Sequence, residues 1–313
     1  MKLIEPKYEF VEQQPGIDGA YKIAEFAGRV CYKSDCNIKE NSAPKFIDML
    51  IKSKHMTPLE HATIYMRTDD LAVANFYSKN KYSHVNVVNE PISSMNNLHD
   101  YFPRVEYYIT TNLRVIVENH RENDMKKYWC EPTESHEHRT TVLFTCDIGV
   151  TREFNRHRTA SINEESTRYC NYTKERFGSE LNIMIPVFIK EKVKEYVEGC
   201  NMLSFEEYCS AIANYGTAEW TDIDWWMFAN LSSERSYSEL ISRGWKAQEA
   251  RTVLLLDTKS TLVYTMFDSD WKHFFDLRAY GITGAPHPSA KELALPLAKD
   301  FKYEQQNMED IQQ

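Results

Sequence analysis

Apolar residues recur along this chain with two different periods. "GIDGAYKIAEFAGRVCYKS" (16–34) has the three- and four-residue spacing of a helix that buries one face. "NSAPKFIDMLIKSKHMTPLEH" (41–61) predicts a second helix capped by Asn41 or Ser42 and running through Ile51, with Thr57-Pro58 beyond its end. Short strand-like runs fall in "KLIEPKYEFVEQQP" (2–15), "ATIYMRT" (62–68) and "TTVLFTCDIGV" (140–150). Residues 188–255 keep helical spacing with few breakers, "STLVYTMFDSDWKHFFDLRAYGI" (260–282) carries an aromatic-rich apolar stripe, and "HPSAKELALPLAKDF" (287–301) predicts a last helix.

From about 69 to 140 the character changes. "NEPISSMNNLHDYFPR" is loop-like, "EYYITTNLRVIVENH" predicts a strand or an edge helix, and "RENDMKKYWCEPTESHEHR" is strongly polar. This stretch reads as an insertion rather than core. The expected architecture is one α/β domain of α+β type, with a central mixed sheet flanked by helices, the insertion at about 69–140 and a loose tail at 304–313.

Composition narrows the function. Of 313 residues 42% are hydrophobic and 13% aromatic, enough for a substantial core. The net charge of -9 argues against a broad nucleic-acid or anionic-membrane surface, though not against a local basic pocket. No apolar run approaches the roughly 18 residues that span a bilayer, and "MKLIEPKYEF" has no apolar signal core. Seven cysteines, at 31, 36, 130, 146, 170, 200 and 209, form no CxxC pair and read as reduced thiols of a cytoplasmic protein. "HEHR" (136–139) lacks a third ligand and reads as a solvated loop, so no metal is expected. "WWMF" (225–228) reads as core or subunit interface.

One stretch concentrates hydrogen-bonding groups: "NRHRTASINEESTRYCNY", from Asn155 to Tyr172. Arg156 and Arg158 would share a face if extended and fan out if helical. Either way two guanidinium forks near one point suit phosphate oxygens. A solvent-facing helix with an ordinary Glu164–Arg168 pair explains the composition equally well. There is no glycine-rich phosphate loop, so phosphate binding would rest on side chains.

Spacing adds what composition leaves open. "RHRTASINEESTR" (156–168) resembles the RHRxxSxxxxSxR signature of the flavin-dependent thymidylate synthases at every fixed position. "KHMTPLEH" (54–61), "EARTVLLL" (249–256) and "DWKHFFDLR" (270–278) resemble further segments of that family, in the same order. The resemblance implies conversion of dUMP to dTMP, with methylenetetrahydrofolate as carbon donor, NADPH as reductant and FAD as hydride carrier, in a homotetramer whose sites draw on several subunits. It implies FAD contacts at His55, Thr57, Arg156, His157, Arg158, Glu164 and His273. It implies a dUMP site of Glu153, Asn155, Arg156, Glu164, Glu165, Ser166, Thr167, Arg168, Arg251 and Arg278. Glu153 stands where the family commonly has Gln, His273 where it often has Asn, and "FDSD" (267–270) departs from the flavin-side pattern. His61 allows a structural reading as readily as a functional one, and His287 aligns only across an insertion.

The chemistry fits these residues independently. The C5 carbon of uracil is a weak nucleophile and needs activation. Classical thymidylate synthases add a cysteine thiolate from a Pro-Cys pair, and this chain has no such pair. Preorganised donors that stabilise negative charge on the ring are an alternative. Arg278 is the candidate for that work, favouring ionisation at N3 and O4, while Ser166 is expected to orient substrate rather than attack it.

Overall fold

The computed structural model describes residues 1–90, 104–174, 178–199 and 202–303. The elements in chain order are β1 (Lys2–Ile4), β2 (Lys7–Phe10), α1 (Gly16–Cys31), α2 (Ala43–Lys52), β3 (Thr63–Thr68), α3 (Leu71–Ser78), β4 (His84–Glu90) and β5 (Arg104–Asn112). Then come α4 (Leu113–Glu118), α5 (Glu122–Tyr128), β6 (Arg139–Asp147), α6 (Ile148–Phe154), β7 (Ser161–Glu164) and β8 (Asn182–Met184). The remainder is α7 (Lys190–Glu198), α8 (Phe205–Tyr215), α9 (Asp222–Ser242), α10 (Ala247–Ala250), β9 (Lys259–Phe267), α11 (Asp268–Phe275) and α12 (Pro288–Asp300).

The central sheet has the order β2-β6-β9-β7 and is antiparallel throughout. Alternate residues of β9 point to opposite faces. Leu262, Tyr264 and Met266 enter a core with Trp271, Phe274 and Phe275 of α11 and with Leu293 and Leu297 of α12. Val263 faces the other way, onto Ala27 and Val30 of α1. The sheet is thus covered on both faces, which is why its two long strands lack a clean polar alternation. β1 pairs with β8 in the parallel sense, and a third, antiparallel sheet has the order β3-β5-β4.

The first two helices form where the spacing predicts them. Ser42 is the N-cap of α2, but its hydroxyl does not cap the helix. It donates instead to Glu25 at 2.8 Å, and Arg29 pairs with the same carboxylate at 2.7 Å. Glu25 is therefore tolerated on the buried face of α1.

The stretch from 69 to 140 is more than a polar excursion. Ile109 of β5, Leu113 and Ile116 of α4, and Met125 of α5 pack with Ile23, Leu50 and Leu59 in one core. "EYYITTNLRVIVENH" is strand and helix in succession, with Asn112 capping α4 through the Val115 amide at 3.0 Å. Most of "NEPISSMNNLHDYFPR", and the tail at 304–313, lie outside the described residues. Two strand-to-helix junctions position the candidate chemistry: β6 runs straight into α6, with Asp147 as its N-cap, and β9 runs straight into α11.

Candidate active site

The polar stretch that opened two readings is neither a surface helix nor a loop throughout. Residues Ser161–Glu164 form β7 on the edge of the central sheet. Ser161 and Asn163 point inward, where Ser161 Oγ accepts from Arg139 at 3.1 Å and Asn163 donates to the Ala27 carbonyl at 3.2 Å. Beyond β7 the chain is pinned by two backbone bonds, Glu165 N–H to Thr261 O and Ser166 N–H to Cys31 O. Ser166 and Thr167 are thereby fixed at the mouth of a cleft.

That cleft, of about 530 Å³, lies within the range of small-molecule sites. Glu164, Glu165, Ser166 and Thr167 line it, together with Arg152 of α6 and Arg251 after α10. Arg251 donates to Thr167 Oγ1 at 3.1 Å, closing the two segments against each other. Glu164 accepts from Ser260 at 2.9 Å. Glu165 is buried and held by Lys259, by Thr261 at 3.2 Å and by Tyr172 at 3.3 Å, so its carboxylate is largely committed to the protein. Ser166 Oγ accepts from the Arg168 amide at 3.3 Å. Among the described residues no histidine, lysine or carboxylate bonds to that hydroxyl, so it lacks the base that would make it a nucleophile.

A second cluster forms where α11 ends. The next turn, Asp276–Tyr280, is a π-helix closed by Gly281 in the left-handed region, where a Cβ would meet Gly284 O at 2.6 Å. Arg278 sits on this turn, donates from one terminal nitrogen to Glu153 at 2.7 Å, and donates from Nε to His157 Nε2 at 3.1 Å. His157 is buried against Phe274, with the His273 ring 5.8 Å away. Burial, then the charges of Arg278 and His273, push its pKa down to about 4. The neutral ring supplies the acceptor that Arg278 needs.

His55 and Thr57 line a third cavity, of about 690 Å³, with Tyr32 and Tyr169. The expected FAD and dUMP residues therefore divide among three places within one chain. Asn155, Arg156 and Arg158 stand exposed on the turns after α6, and Arg168 lies exposed with its guanidinium 5.7 Å from the Tyr169 ring centre. His61 is structural: it is fully buried, with Nδ1 2.8 Å from Thr265 Oγ1. "HEHR" is not wholly solvated, since His136 is buried and bonded to Thr133 and the Met66 carbonyl. Among the described residues no metal-binding group of three or more ligands is found. In "WWMF", Met227 is core and Trp226 donates to Asp257, while Trp225 is half exposed. His287 is the N-cap residue of α12.

Arg152 is the cleft residue that the sequence reading missed. Its position one turn before Arg156, beside Glu153, was the available signal.

The family described as "thymidylate synthase complementing protein" matches residues 15–89 and 98–302. The chain belongs to this family, that of the flavin-dependent thymidylate synthases. The match runs through most of 69–140, in keeping with the shared core described above. The family's reaction is the methylation of dUMP to dTMP. Among solved structures the chain is similar to a UMP/dUMP methylase, PolB from Streptomyces cacaoi, bound with 5-Br dUMP. That likeness has 17% identity, covers 96% of this chain and 92% of that one, and has a TM-score of 0.39. The same enzyme bound with 5-Br UMP gives 15% identity, 96% and 90% coverage, and a TM-score of 0.40. Among curated proteins none matches this chain in sequence. Among the described residues no helix is long and apolar enough to cross a membrane.

Proposed function

We propose that this chain converts dUMP to dTMP with methylenetetrahydrofolate as the one-carbon donor and NADPH as the reductant, through bound FAD. The observation that carries this reading is the cleft closed by the Arg251–Thr167 bond, lined by the signature's Ser166 and its neighbours Glu164, Glu165 and Thr167, in a chain that belongs to the family. Its arginines suit the nucleotide phosphate, and Ser166 and Glu164 offer a donor and an acceptor for the ring and sugar.

Arg278 is the group we assign to ring activation. Its guanidinium is only 12% exposed and is held by Glu153 and His157, so its donors need little reorganisation as negative charge develops at N3 and O4 of the uracil. Ser166 orients the substrate. A cysteine nucleophile is disfavoured: none lines the cleft among the described residues, and burial pushes the Cys31 thiol up to about 12 and Cys146 well above its usual range.

The third cavity fits a flavin through its paired aromatic rings, its apolar floor and its basic rim. His55 and Thr57 would hold the group there, with His157, Arg156, Arg158 and His273 reaching it from elsewhere. When bound, FAD supplies the hydride chemistry, and the protein supplies position and electrostatics. The division of these residues among three places supports a homotetramer in which neighbouring subunits complete each site. The cysteines among the described residues are free and scattered, which supports a cytoplasmic setting.

The test is the absorbance spectrum of the purified protein, titrated with dUMP. Bound flavin gives a band near roughly 450 nm that dUMP perturbs. A colourless protein that takes up neither FAD nor dUMP contradicts the proposal.

A further inference from the structure

Four described helices end on a left-handed residue that is not glycine, at Lys33, Lys54, His120 and Lys302, and two of these residues line one cavity. Lys54 (φ 58°) follows α2, and His120 (φ 56°) follows α4. In the first, Lys54 N–H reaches Ile51 O at 3.1 Å and His55 N–H reaches Leu50 O at 2.9 Å. In the second, His120 N–H reaches Val117 O at 3.3 Å and Arg121 N–H reaches Ile116 O at 2.9 Å. Glycine takes this closing position without a Cβ penalty, so a lysine and a histidine there are held at a cost to the fold.

Their placement gives the cost a use. The cavity floor is apolar, with Leu50, Met56, Pro58 and Val117, and on it the rings of Tyr32 and Tyr169 lie 5.3 Å apart. Lys54, His55, Arg114 and His120 supply basic groups around it, against the single carboxylate of Glu118. Arg114 is already engaged by Glu60 and by Glu118, and His55 by the Tyr32 hydroxyl at 3.1 Å. Among the described residues the side chains of Lys54 and His120 have no hydrogen bond or ion pair. In a chain of net charge -9, two uncommitted basic groups presented at a conformational cost beside an aromatic pair suit an anion attached to a flat ring.

We propose that Lys54 and His120 anchor the phosphates of a dinucleotide whose flat ring lies against Tyr32 and Tyr169. This rests on the flavin reading of His55 and Thr57, and adds the anion-holding residues, one of them from the 69–140 segment. FAD and NADPH share the chemistry, a pyrophosphate joined to aromatic rings, and the experiment separates them.

The experiment compares the full-length protein with Lys54→Gly, His120→Gly and the double variant. Each is titrated with FAD, NADPH and inorganic pyrophosphate, and melted without ligand. Glycine relieves the left-handed strain, so the variants melt at or above the wild-type temperature. Binding of one dinucleotide weakens by about tenfold in the double variant, with a shallower salt dependence. The dinucleotide that weakens identifies the occupant. Affinities for all three probes that match wild type overturn the proposal, as does a wild type that binds none of them. A wild type that binds pyrophosphate but neither dinucleotide, and loses it in the double variant, supports the anion site and sinks the flavin reading instead.

Discussion

Arg278 donates its Nε–H to Nε2 of His157 at 3.1 Å, across 121 residues of chain. The histidine must be neutral to accept that bond, and burial beside Phe274 keeps it so. Protonation would set an imidazolium against a guanidinium inside the protein, so acid attacks this contact directly.

The pH dependence of stability follows. Above pH 6.5 the ring is neutral whether the chain is folded or unfolded, and it adds no slope. Between 6.5 and about 4 only the unfolded chain binds the proton, so stability falls as pH falls. His61, pushed down to about 3 by burial and by Arg139, adds a loss of the same sign that continues lower. His157→Gln offers an acceptor near Nε2 and does not titrate. Denaturant unfolding from pH 7 to 4 should show a shallower loss in this variant than in wild type. Parallel curves would show that His157 is not held neutral.

Arg251 and Arg278 have separable roles. Arg251 is exposed and closes the cleft on Thr167, so Arg251→Ala should raise KM for dUMP about tenfold while changing kcat less. Steady-state kinetics at varied dUMP checks this. A fall in kcat with KM unchanged would move Arg251 from binding to chemistry.

Glu165 belongs to the fold as much as to the cleft. It is buried and answers Lys259, Lys33, Tyr172 and Thr261. Glu165→Ala removes the acceptor that Lys259, Tyr172 and Thr261 share and should destabilise the protein by about 3 kcal/mol, read by denaturant unfolding. A change within about 0.5 kcal/mol, the range of an ordinary surface substitution, would show that the carboxylate is not a structural group.

Part of this was legible from residue order. The period of α1 and α2 follows directly from their apolar spacing, because both bury one continuous face. β7 was not legible. "SINE" is polar at three of four positions, and Ser161 and Asn163 are buried only because Arg139 and the Ala27 carbonyl, distant in sequence, satisfy them. The 69–140 segment hid its core residues for a related reason. Ile109, Leu113, Ile116 and Met125 are spread over three short elements among polar neighbours, so no single window carries their periodicity. In the site, Glu164 to Thr167 of the Arg156–Arg168 stretch line the cleft, whereas Arg156, His157, Arg158 and Arg168 do not. The bond from Arg278 to His157 depends on a π-turn that no local pattern announces.

The most direct test of the whole account is NADPH-dependent conversion of dUMP to dTMP, measured for wild type and for Arg278→Ala with FAD and methylenetetrahydrofolate supplied. Wild type should turn over, and the variant should lose about 100- to 1,000-fold in kcat while still folding and binding dUMP. A wild type that binds flavin and dUMP yet makes no dTMP, or an alanine variant as fast as wild type, would contradict it.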